Sequence, residues 1–279
     1  MVKGGRGFVA AMVVAIALPA AGALALDSHE VVAPNAEFTA QQVTAIVFKA
    51  LPGKRPDFAG KFLTYLDLAE IDFKAAHLSG ADLYGSDFTG ANLAGADLSK
   101  SRLDRAVLIR ANMSDANLTD ATILRPTIYA DDKNTLTDAP SFNGANLTRV
   151  RVQADLSGAD FRGANMTAAD FGPLESRPGQ GTMVTTASNM LKSCNFAGAH
   201  MAGANMTQAV LTFSRFTGAD VRGVNFARAE LTKVDFSGAD VTGADFTGAD
   251  LYDANFTGAV GVDQAKGLDT AKNADKVVR

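Results

Sequence analysis

Large apolar residues recur at every fifth position over most of this sequence. The series begins at Phe58 and continues without a gap to Ile128. It resumes at Phe196 and runs to Phe256, and a shorter stretch with a one-residue shift of frame lies between. The residue two positions before each large residue is most often Ala. The residue between this Ala and the large residue is usually Asp or Asn. A chain with this pattern has to turn the same two positions inward in every five residues.

A period of five fits neither of the common secondary structures. An α-helix would turn by about 500° over five residues and spread the apolar residues around its surface. A flat strand would place successive large residues on opposite faces, because its side chains alternate. The pattern instead predicts short extended steps separated by turns, stacked into a solenoid with one continuous apolar column inside. The predicted core includes Phe73, Leu83, Phe88, Leu98, Phe161, Phe196, Phe216, Phe226, Phe236, Phe246 and Phe256.

The repeating unit, Ala-(Asp/Asn)-(Leu/Phe)-x-x, resembles that of the pentapeptide-repeat family from Phe58 to Phe256. This resemblance implies an all-β fold, a right-handed quadrilateral parallel β-helix in which four units form one coil. Residues 58–256 would then form about eight to ten coils, spaced by the ~4.8 Å that separates paired strands.

The segments on either side of the repeats are expected to cover the open ends of the solenoid. Residues 26–57 are predicted to hold a leader and a short N-terminal capping helix, because Thr39 and Gln42 have the spacing of a capping box. The apolar stripe of this helix would consist of Val43, Ile46, Val47, Ala50 and Leu51. We expect the stripe to lie on the first coil; a partner-binding helix is the alternative. Residues 257–279 are predicted to form a polar C-terminal cap or tail.

Two segments interrupt the period of five. Residues 129–141 and 172–190 are polar or rich in Pro and Gly and lie out of register, so we expect both to leave the solenoid as surface loops. Their candidate interaction residues are Asp131, Asp132, Lys133, Glu175 and Arg177. Segments that do not repeat are the best candidates for specific contacts, and the alternative is that they are tolerated insertions without a role.

Residues 1–25 have the composition of an export signal. Lys3 and Arg6 precede an uncharged apolar run at residues 8–18, and the Ala-Leu-Ala sequence at 23–25 fits a cleavage site. Cleavage there predicts a periplasmic or secreted protein. Residues 7–26 are also long enough to cross a bilayer if retained, which would anchor the protein in the inner membrane. Membrane contact is expected only through this segment.

No pattern in the sequence predicts catalysis, a cofactor or a metal. The single Cys, Cys194, falls on the small inward position, so we expect a buried and unreactive thiol. None of the three His lies in one coil with a Ser or Cys nucleophile and an orienting acid. No Gly-rich phosphate loop precedes a helix. We therefore expect a protein that is not an enzyme, with no cofactor and no metal site.

A rigid rod with two loops is expected to act as an exported scaffold or binding protein in the cell envelope. We expect a protein partner, with an envelope polymer as the alternative because regular polar ladders match a polymer repeat. The resemblance implies a second function, since the quinolone-resistance members of the family imitate DNA and act on a type II topoisomerase. Columns of outward Asp side chains would support such mimicry. The predicted export and the interspersed Arg and Lys side chains argue against it, and binding of nucleic acid itself is not expected.

Overall fold

The chain forms a solenoid of stacked coils joined by parallel β-bridges. A computed structural model describes residues 36–129, 137–174 and 188–278. In the regular part, each bridge joins residues that are twenty positions apart, as in Asp57 with His77 and Asp220 with Asp240. Twenty residues are four five-residue units, so each coil contains four units and contributes to four columns of bridges. The parallel β-helix predicted from the period of five is confirmed.

Ten coils are stacked in the described part of the chain. One column of bridged residues consists of Asp57, His77, Asp97, Asn117, Asn146, Asn165, His200, Asp220, Asp240 and Val260. At the spacing of paired strands, ten coils rise about 43 Å from the first to the last. The other bridged residues form three further columns, so every bridged position belongs to one of four columns, each of which is called a face below.

The coil length changes at three places while the columns stay aligned. Asn117 bridges Asn146, which makes that coil nine residues longer, and Asp155 bridges Met190, which adds fifteen. Between them Asn146 bridges Asn165, so one residue is missing from that coil. The missing residue is the frame shift seen in the sequence. It coincides with the longest regular pairing, strand β1 (Thr122–Leu124) parallel to strand β2 (Arg151–Gln153).

The interior is a single column of buried side chains. The predicted core residues are all buried, with no exposed surface on any of them except Phe256, which is 4% exposed. Phenyl rings of successive coils stack on one another in this column. The ring centroids lie 4.9 Å apart for Phe161 and Phe196, 4.6 Å for Phe196 and Phe216, and 5.0 Å for Phe216 and Phe236. This spacing equals the rise per coil, so packing of the rings and pairing of the backbone reinforce each other.

One α-helix, α1 (Ala40–Lys49), precedes the first coil. Thr39 Oγ1 accepts from the Gln42 N–H and Gln42 Oε1 accepts from the Thr39 N–H, which is the predicted capping box. Val43 and Val47 are buried in the solenoid core. Two other residues of the predicted stripe are not buried, since Ile46 is 38% exposed and Leu51 is 68% exposed, and Ala50 is half-buried. Among the residues described, no helix has the length and apolar character that crossing a bilayer requires.

Residues 260–278, predicted to belong to a polar C-terminal cap or tail, form a tenth coil built from six-residue steps. Asp245 bridges Lys266, Asp250 bridges Lys272 and Asn255 bridges Val278, so the separation grows from twenty to twenty-three residues around this coil. Short 3-10 helices at Val262–Gln264 and Ala274–Lys276 take up the extra residues. Half-buried Val262, Leu268 and Val277 pack against the core below. The last coil thus covers much of the apolar column while keeping Lys and Asp side chains outside.

Candidate binding surface between the two insertions

The two insertions leave the solenoid on either side of the same face. The first lies between Thr127 and Ser141, on two neighbouring columns. The second lies between Asp170 and Met190. Met190 bridges Asp155, and the order of the units puts Asp155 one coil after Thr127, so Thr127, Asp155 and Met190 lie on one face. This column therefore runs between the two insertions. Residues 138–141 and 188–190, which the sequence analysis placed inside the insertions, belong to the wall.

Residues 130–136 and 175–187 lie outside the described residues, and so do the five predicted contact residues. These are Asp131, Asp132, Lys133, Glu175 and Arg177. What the structure defines is where each insertion begins and ends, and what surrounds those points.

The face between the insertions differs chemically from the other three. We call it the insertion face and define it by Val107, Thr127, Asp155, Met190 and Val210. Between the first coil and the last, all three apolar residues at described bridge positions lie here: Val107, Met190 and Val210. Acidic residues flank this apolar stretch in the same column, Asp67 and Asp87 below it and Glu230 and Asp250 above it. The face thus has apolar residues in its middle coils, interrupted by Thr127 and Asp155, and carboxylates at both ends.

Several side chains around the insertion face are more buried than outward positions usually are. Ile109, two residues after Val107, is 9% exposed, and Val210 is 8% exposed. The hydroxyl of Tyr129 donates to Asp155 Oδ2 at 2.9 Å, which links the coils on either side of the first insertion. Arg110 pairs with the buried Asp138 at 3.1 Å, where the chain returns to the wall. These contacts fix the first insertion to the edge of the insertion face.

Arg151 fixes the second insertion where it leaves the wall. Its guanidinium donates to the carbonyl oxygens of Asp170 at 3.1 Å, Gly172 at 2.8 Å and Pro173 at 3.1 Å. The same group lies 3.2 Å from Asp170 Oδ2. A planar guanidinium with five N–H donors suits such convergent acceptors better than an ammonium group would.

Asn189 fixes the same insertion where it returns. Its side chain is buried, and its amide donates to the carbonyl oxygens of Val152 at 3.1 Å and Phe171 at 2.6 Å. Its carbonyl accepts from the Ala154 N–H at 2.7 Å. The Asn189 side chain thus provides hydrogen-bond partners for backbone groups of the short coil that the neighbouring coils do not pair. Sequence reasoning missed this residue, although Leu191, five positions before Phe196, already shows that the repeats resume there.

An exposed aromatic residue stands at the corner next to the insertion face. Phe213 follows Val210 by three residues and is 59% exposed. Its φ of 64° lies in the left-handed region, which is unfavourable for a bulky side chain. Lys233 Nζ, one coil further on, lies 5.7 Å from the centre of the ring. The exposed ring of Phe213 therefore adds apolar surface next to Val210, at the turn that leads to the neighbouring face.

In the described part of the chain, no group of side chains resembles a catalytic site. Cys194 is buried, and its thiol donates to the Leu156 carbonyl at 3.1 Å. The burial expected from the sequence is confirmed, and it raises the pKa of this thiol far above its ordinary value. Over residues 36–129, 137–174 and 188–278, no three His, Cys, Asp or Glu side chains are grouped as a metal ion requires.

Outward Asp and Asn side chains bind the backbone of their own unit. Asp220 Oδ1 accepts from the Arg222 N–H at 3.2 Å, and Asp240 Oδ1 accepts from the Thr242 N–H at 3.0 Å. The same turn recurs along all four faces. The Arg222 guanidinium also pairs with Asp220 at 2.7 Å. These carboxylates therefore support the turns, and less of their charge is free than the sequence pattern suggests.

Asp220→Ala is expected to lower the free energy of unfolding at pH 7 by about 1 kcal/mol, because it removes the turn hydrogen bond and an exposed ion pair. Hydrogen bonding to Arg222 lowers the pKa of Asp220 below its ordinary value of 3.8. The ionic contribution is therefore present above that value and is lost as the pH falls through the folded pKa. Urea unfolding between pH 7 and pH 2 should show the two proteins converging. Glu230→Ala, which removes an exposed acid of the same coil, should change stability by less than about 0.5 kcal/mol.

Comparisons with known proteins place these observations in a family. Residues 63–93, 86–123 and 141–172 match the model of pentapeptide repeats in eight copies, and residues 189–260 match the model of a pentapeptide repeat region. No match was found among curated protein sequences.

Several solved structures are similar to this chain. HetL, a pentapeptide repeat protein involved in heterocyst differentiation regulation from Nostoc sp. strain PCC 7120, is 25% identical over 82% of this chain and 95% of its own, with a TM-score of 0.39. Full-length QnrB1, a plasmid-mediated fluoroquinolone resistance protein, is 20% identical over 77% and 95%, with a TM-score of 0.31. A thylakoid-lumen protein of Arabidopsis thaliana is 22% identical over 52% and 88%, with a TM-score of 0.24. The family-model matches cover more than half of the 279 residues, and the coils are built from the same five-residue unit, so this chain belongs to the pentapeptide-repeat family.

Proposed function

We propose that this protein is an exported, non-enzymatic scaffold that binds a protein partner through the insertion face. The observation that carries the proposal is the set of Val107, Met190 and Val210 at outward bridge positions that are otherwise polar between the first coil and the last. Val210 is 8% exposed, whereas Val107 and Met190 are half-buried and keep apolar surface in contact with water. Burial of that surface against a partner, together with the exposed ring of Phe213 beside it, is favourable.

A protein suits this face better than a polymer does. A polymer with a regular repeat would be matched by the same side chain in coil after coil. The insertion face instead has Val107, Met190 and Val210 in its middle coils, with one carboxylate among them, that of Asp155, which accepts from the Tyr129 hydroxyl. Further carboxylates lie at its ends, so the face resembles the apolar centre and polar rim of a protein interface. The carboxylates of Asp87 and Glu230 would also repel the phosphates of a nucleic acid.

The finer features of the fold belong to the same proposal. We propose that the β-helix is right-handed and four-sided, and that α1 covers its first coil. Right-handed connections between parallel strands are strongly favoured in proteins of L-amino acids, which supports the handedness. Burial of Val43 and Val47 beside the first-coil residue Phe58 supports the capping role.

Site-specific photo-crosslinking tests the binding surface. A photoreactive phenylalanine at Val107 or Met190 should form an adduct of one defined mass in cells that express the full chain. The same probe at Arg215 or Asp235, on another face of the rod, should not. Adducts of the same mass from both faces, or from neither, would contradict the assignment of this surface.

Fractionation with N-terminal sequencing tests export. We expect the mature protein in the periplasmic or secreted fraction with an N-terminus near Leu26, or in the inner membrane if the segment is retained. Residues 1–25 lie outside the described residues, so the support for export is the sequence pattern alone. An intact chain in the cytoplasm would rule out the exported scaffold.

Mimicry of DNA toward a type II topoisomerase is the second candidate. The observation in its favour is that residues 240–259 contain four Asp and no Lys or Arg. Against it, Asp240 lies 3.8 Å from Arg222, and its carboxylate accepts from Thr242. A gyrase supercoiling assay with the purified chain separates the candidates. The scaffold proposal predicts no change in supercoiling, whereas inhibition or protection of gyrase would favour mimicry.

A further inference from the structure

We propose that α1 and the turn after it form a docking site for the surface of an anionic phospholipid bilayer. The site consists of Ile46, Phe48, Lys49, Leu51, Lys54 and Arg55, and we call it the α1 surface. All six residues are exposed. This goes beyond the proposed function, because it assigns a membrane contact to the folded domain itself, at the end of the rod where the first coil lies.

Large apolar side chains are concentrated in this short segment. Phe48 is 82% exposed, the highest exposure among the large apolar residues described, and Leu51 is 68% exposed. Val43 and Val47 occupy the side of the helix that packs on the solenoid, so Phe48 cannot reach the core. Phe48 instead lines a shallow hollow with Ala40, Thr44 and Ala45. An aromatic ring and aliphatic groups presented in this way can enter the boundary between headgroups and acyl chains.

Unpaired cations surround these apolar groups. Within the described part of the chain, Lys49, Lys54 and Arg55 form no ion pair. Of the acids adjacent in sequence, Glu37 is paired with Lys61 at 3.0 Å, and Asp57 accepts from the Ala59 N–H at 3.0 Å. Three free cations beside exposed apolar side chains complement the negative charge of anionic lipid headgroups. A protein groove of this composition would require an acidic partner of matching shape, whereas a bilayer requires only the charge and the apolar groups.

Lys74 holds the α1 surface in place. Its ammonium group donates to the Val47 carbonyl at 3.0 Å and to the Ala50 carbonyl at 3.5 Å, which satisfies the last turn of the helix. The first coil therefore fixes the direction in which the segment from Phe48 to Arg55 projects. A rigid presentation lowers the entropy cost of placing this segment on a membrane.

The place of α1 in the sequence agrees with this inference. Residue 40, where α1 begins, is fourteen positions after Leu26, the last residue of the apolar N-terminal stretch. Fourteen extended residues reach at most about 50 Å. A retained N-terminal segment would keep α1 close to the bilayer, and a cleaved one would leave α1 as the membrane-binding element. The α1 surface itself consists only of described residues.

A single-tryptophan reporter tests the inference, because the chain contains no Trp. Phe48→Trp in the full chain should show blue-shifted fluorescence and quenching by brominated lipid with vesicles of phosphatidylcholine and phosphatidylglycerol. The matched control is Tyr252→Trp, an aromatic position that is 43% exposed in the ninth coil. Its fluorescence should not respond. This pair distinguishes contact by α1 from binding through residues 7–26, which would hold both variants on the vesicles.

Charge removal provides the second arm. Lys49→Gln, Lys54→Gln and Arg55→Gln, combined in the Phe48→Trp chain, should weaken quenching by the anionic vesicles roughly 100-fold in lipid concentration. Combined Arg215→Gln, Arg228→Gln and Lys233→Gln, which remove three cations elsewhere, should have little effect. Equal quenching at both reporter positions, or none on vesicle-bound protein, would overturn the proposal. A blue shift without vesicles that depends on protein concentration would show instead that a second copy covers α1.

Discussion

Replacement of Phe216 by alanine is expected to lower the free energy of unfolding by about 3–5 kcal/mol. The side chain has no exposed surface, and its ring lies 4.6 Å from that of Phe196 and 5.0 Å from that of Phe236. Each coil is supported only by its neighbours, so the cavity would remove packing on both sides. Phe216→Asp should have a larger effect, because an unpaired carboxylate would be buried in the column.

The control for this experiment lies three residues away. Phe213 has the same side chain in the same coil, but 59% of it is exposed and its φ is 64°. Phe213→Gly should leave stability unchanged or raise it by about 1 kcal/mol, since glycine adopts this conformation without strain. Both variants can be compared by urea unfolding followed by circular dichroism. Similar losses for the two would mean that the inward and outward positions are assigned incorrectly.

Asn189→Leu is expected to cost about 3 kcal/mol or more, although leucine has nearly the same size. The substitution would remove the acceptor of the Ala154 N–H and the amide donor to the Phe171 carbonyl, and it would leave the Val152 carbonyl with only the Arg151 guanidinium at 3.4 Å. A buried backbone group that loses its hydrogen bond costs about 1–3 kcal/mol. The loss should be local, because Asn189 joins the second insertion to the short coil at β2.

Hydrogen exchange can distinguish this local effect from global unfolding. We expect faster exchange at Val152, Ala154 and the residues around Met190, with little change near Phe246. Asn195→Ala is the matched control, because the side chain of Asn195 lies outside and accepts from the Ala197 N–H at 3.1 Å. It should cost no more than about 1 kcal/mol. If Asn195→Ala were as harmful as Asn189→Leu, the bridging role of Asn189 would be wrong.

The core could be predicted from the sequence because the large inward residue has the same position in every five-residue unit. Phe73 and Phe246 lie seven coils apart, yet the same spacing identifies both as inward residues. The capping box of α1 was also readable, since Thr39 and Gln42 act locally. The exposure of Ile46 and Leu51 was not, because it depends on how a ten-residue helix sits on the first coil. A helical stripe shows which residues are apolar. It does not show how many of them the first coil is wide enough to cover.

The last coil was missed for a different reason. Its units, Val260–Ala265, Lys266–Ala271 and Lys272–Val277, repeat with a period of six. A search in steps of five loses this signal after Phe256. The extra residue in each unit is taken up at Gly261, Gly267 and Asn273, which all have positive φ. The period of a repeat can therefore change while its bridges continue, and a polar composition alone does not mark the end of the solenoid.

The candidate binding surface was only partly predictable. Positions of the two insertions followed from the loss of register, but the face between them did not. Thr127 and Met190 lie on one face, with Asp155 between them, only because the chain from Thr127 to Met190 forms two whole coils once the inserted residues are set aside. The roles of Arg151 and Asn189 depend on carbonyl groups that come together from different coils. Such contacts between coils cannot be predicted from a local sequence pattern.

The number of repeat units between the two insertions determines which faces of the solenoid they border. Seven repeat units separate them, those that begin at Ser141, Asn146, Arg151, Asp155, Asp160, Asn165 and Asp170. Two full coils would be eight units, so seven units are one short of two coils. The first insertion therefore directly follows a unit of the insertion face, that of Thr127, and the second directly precedes one, that of Met190. Deletion of a single unit would rotate the second insertion by a quarter turn, away from this face. Deletion or duplication of four units would change only the length of the rod. Repeats between the insertions can therefore be gained or lost in sets of four without altering which face both insertions border, and any other number would separate them.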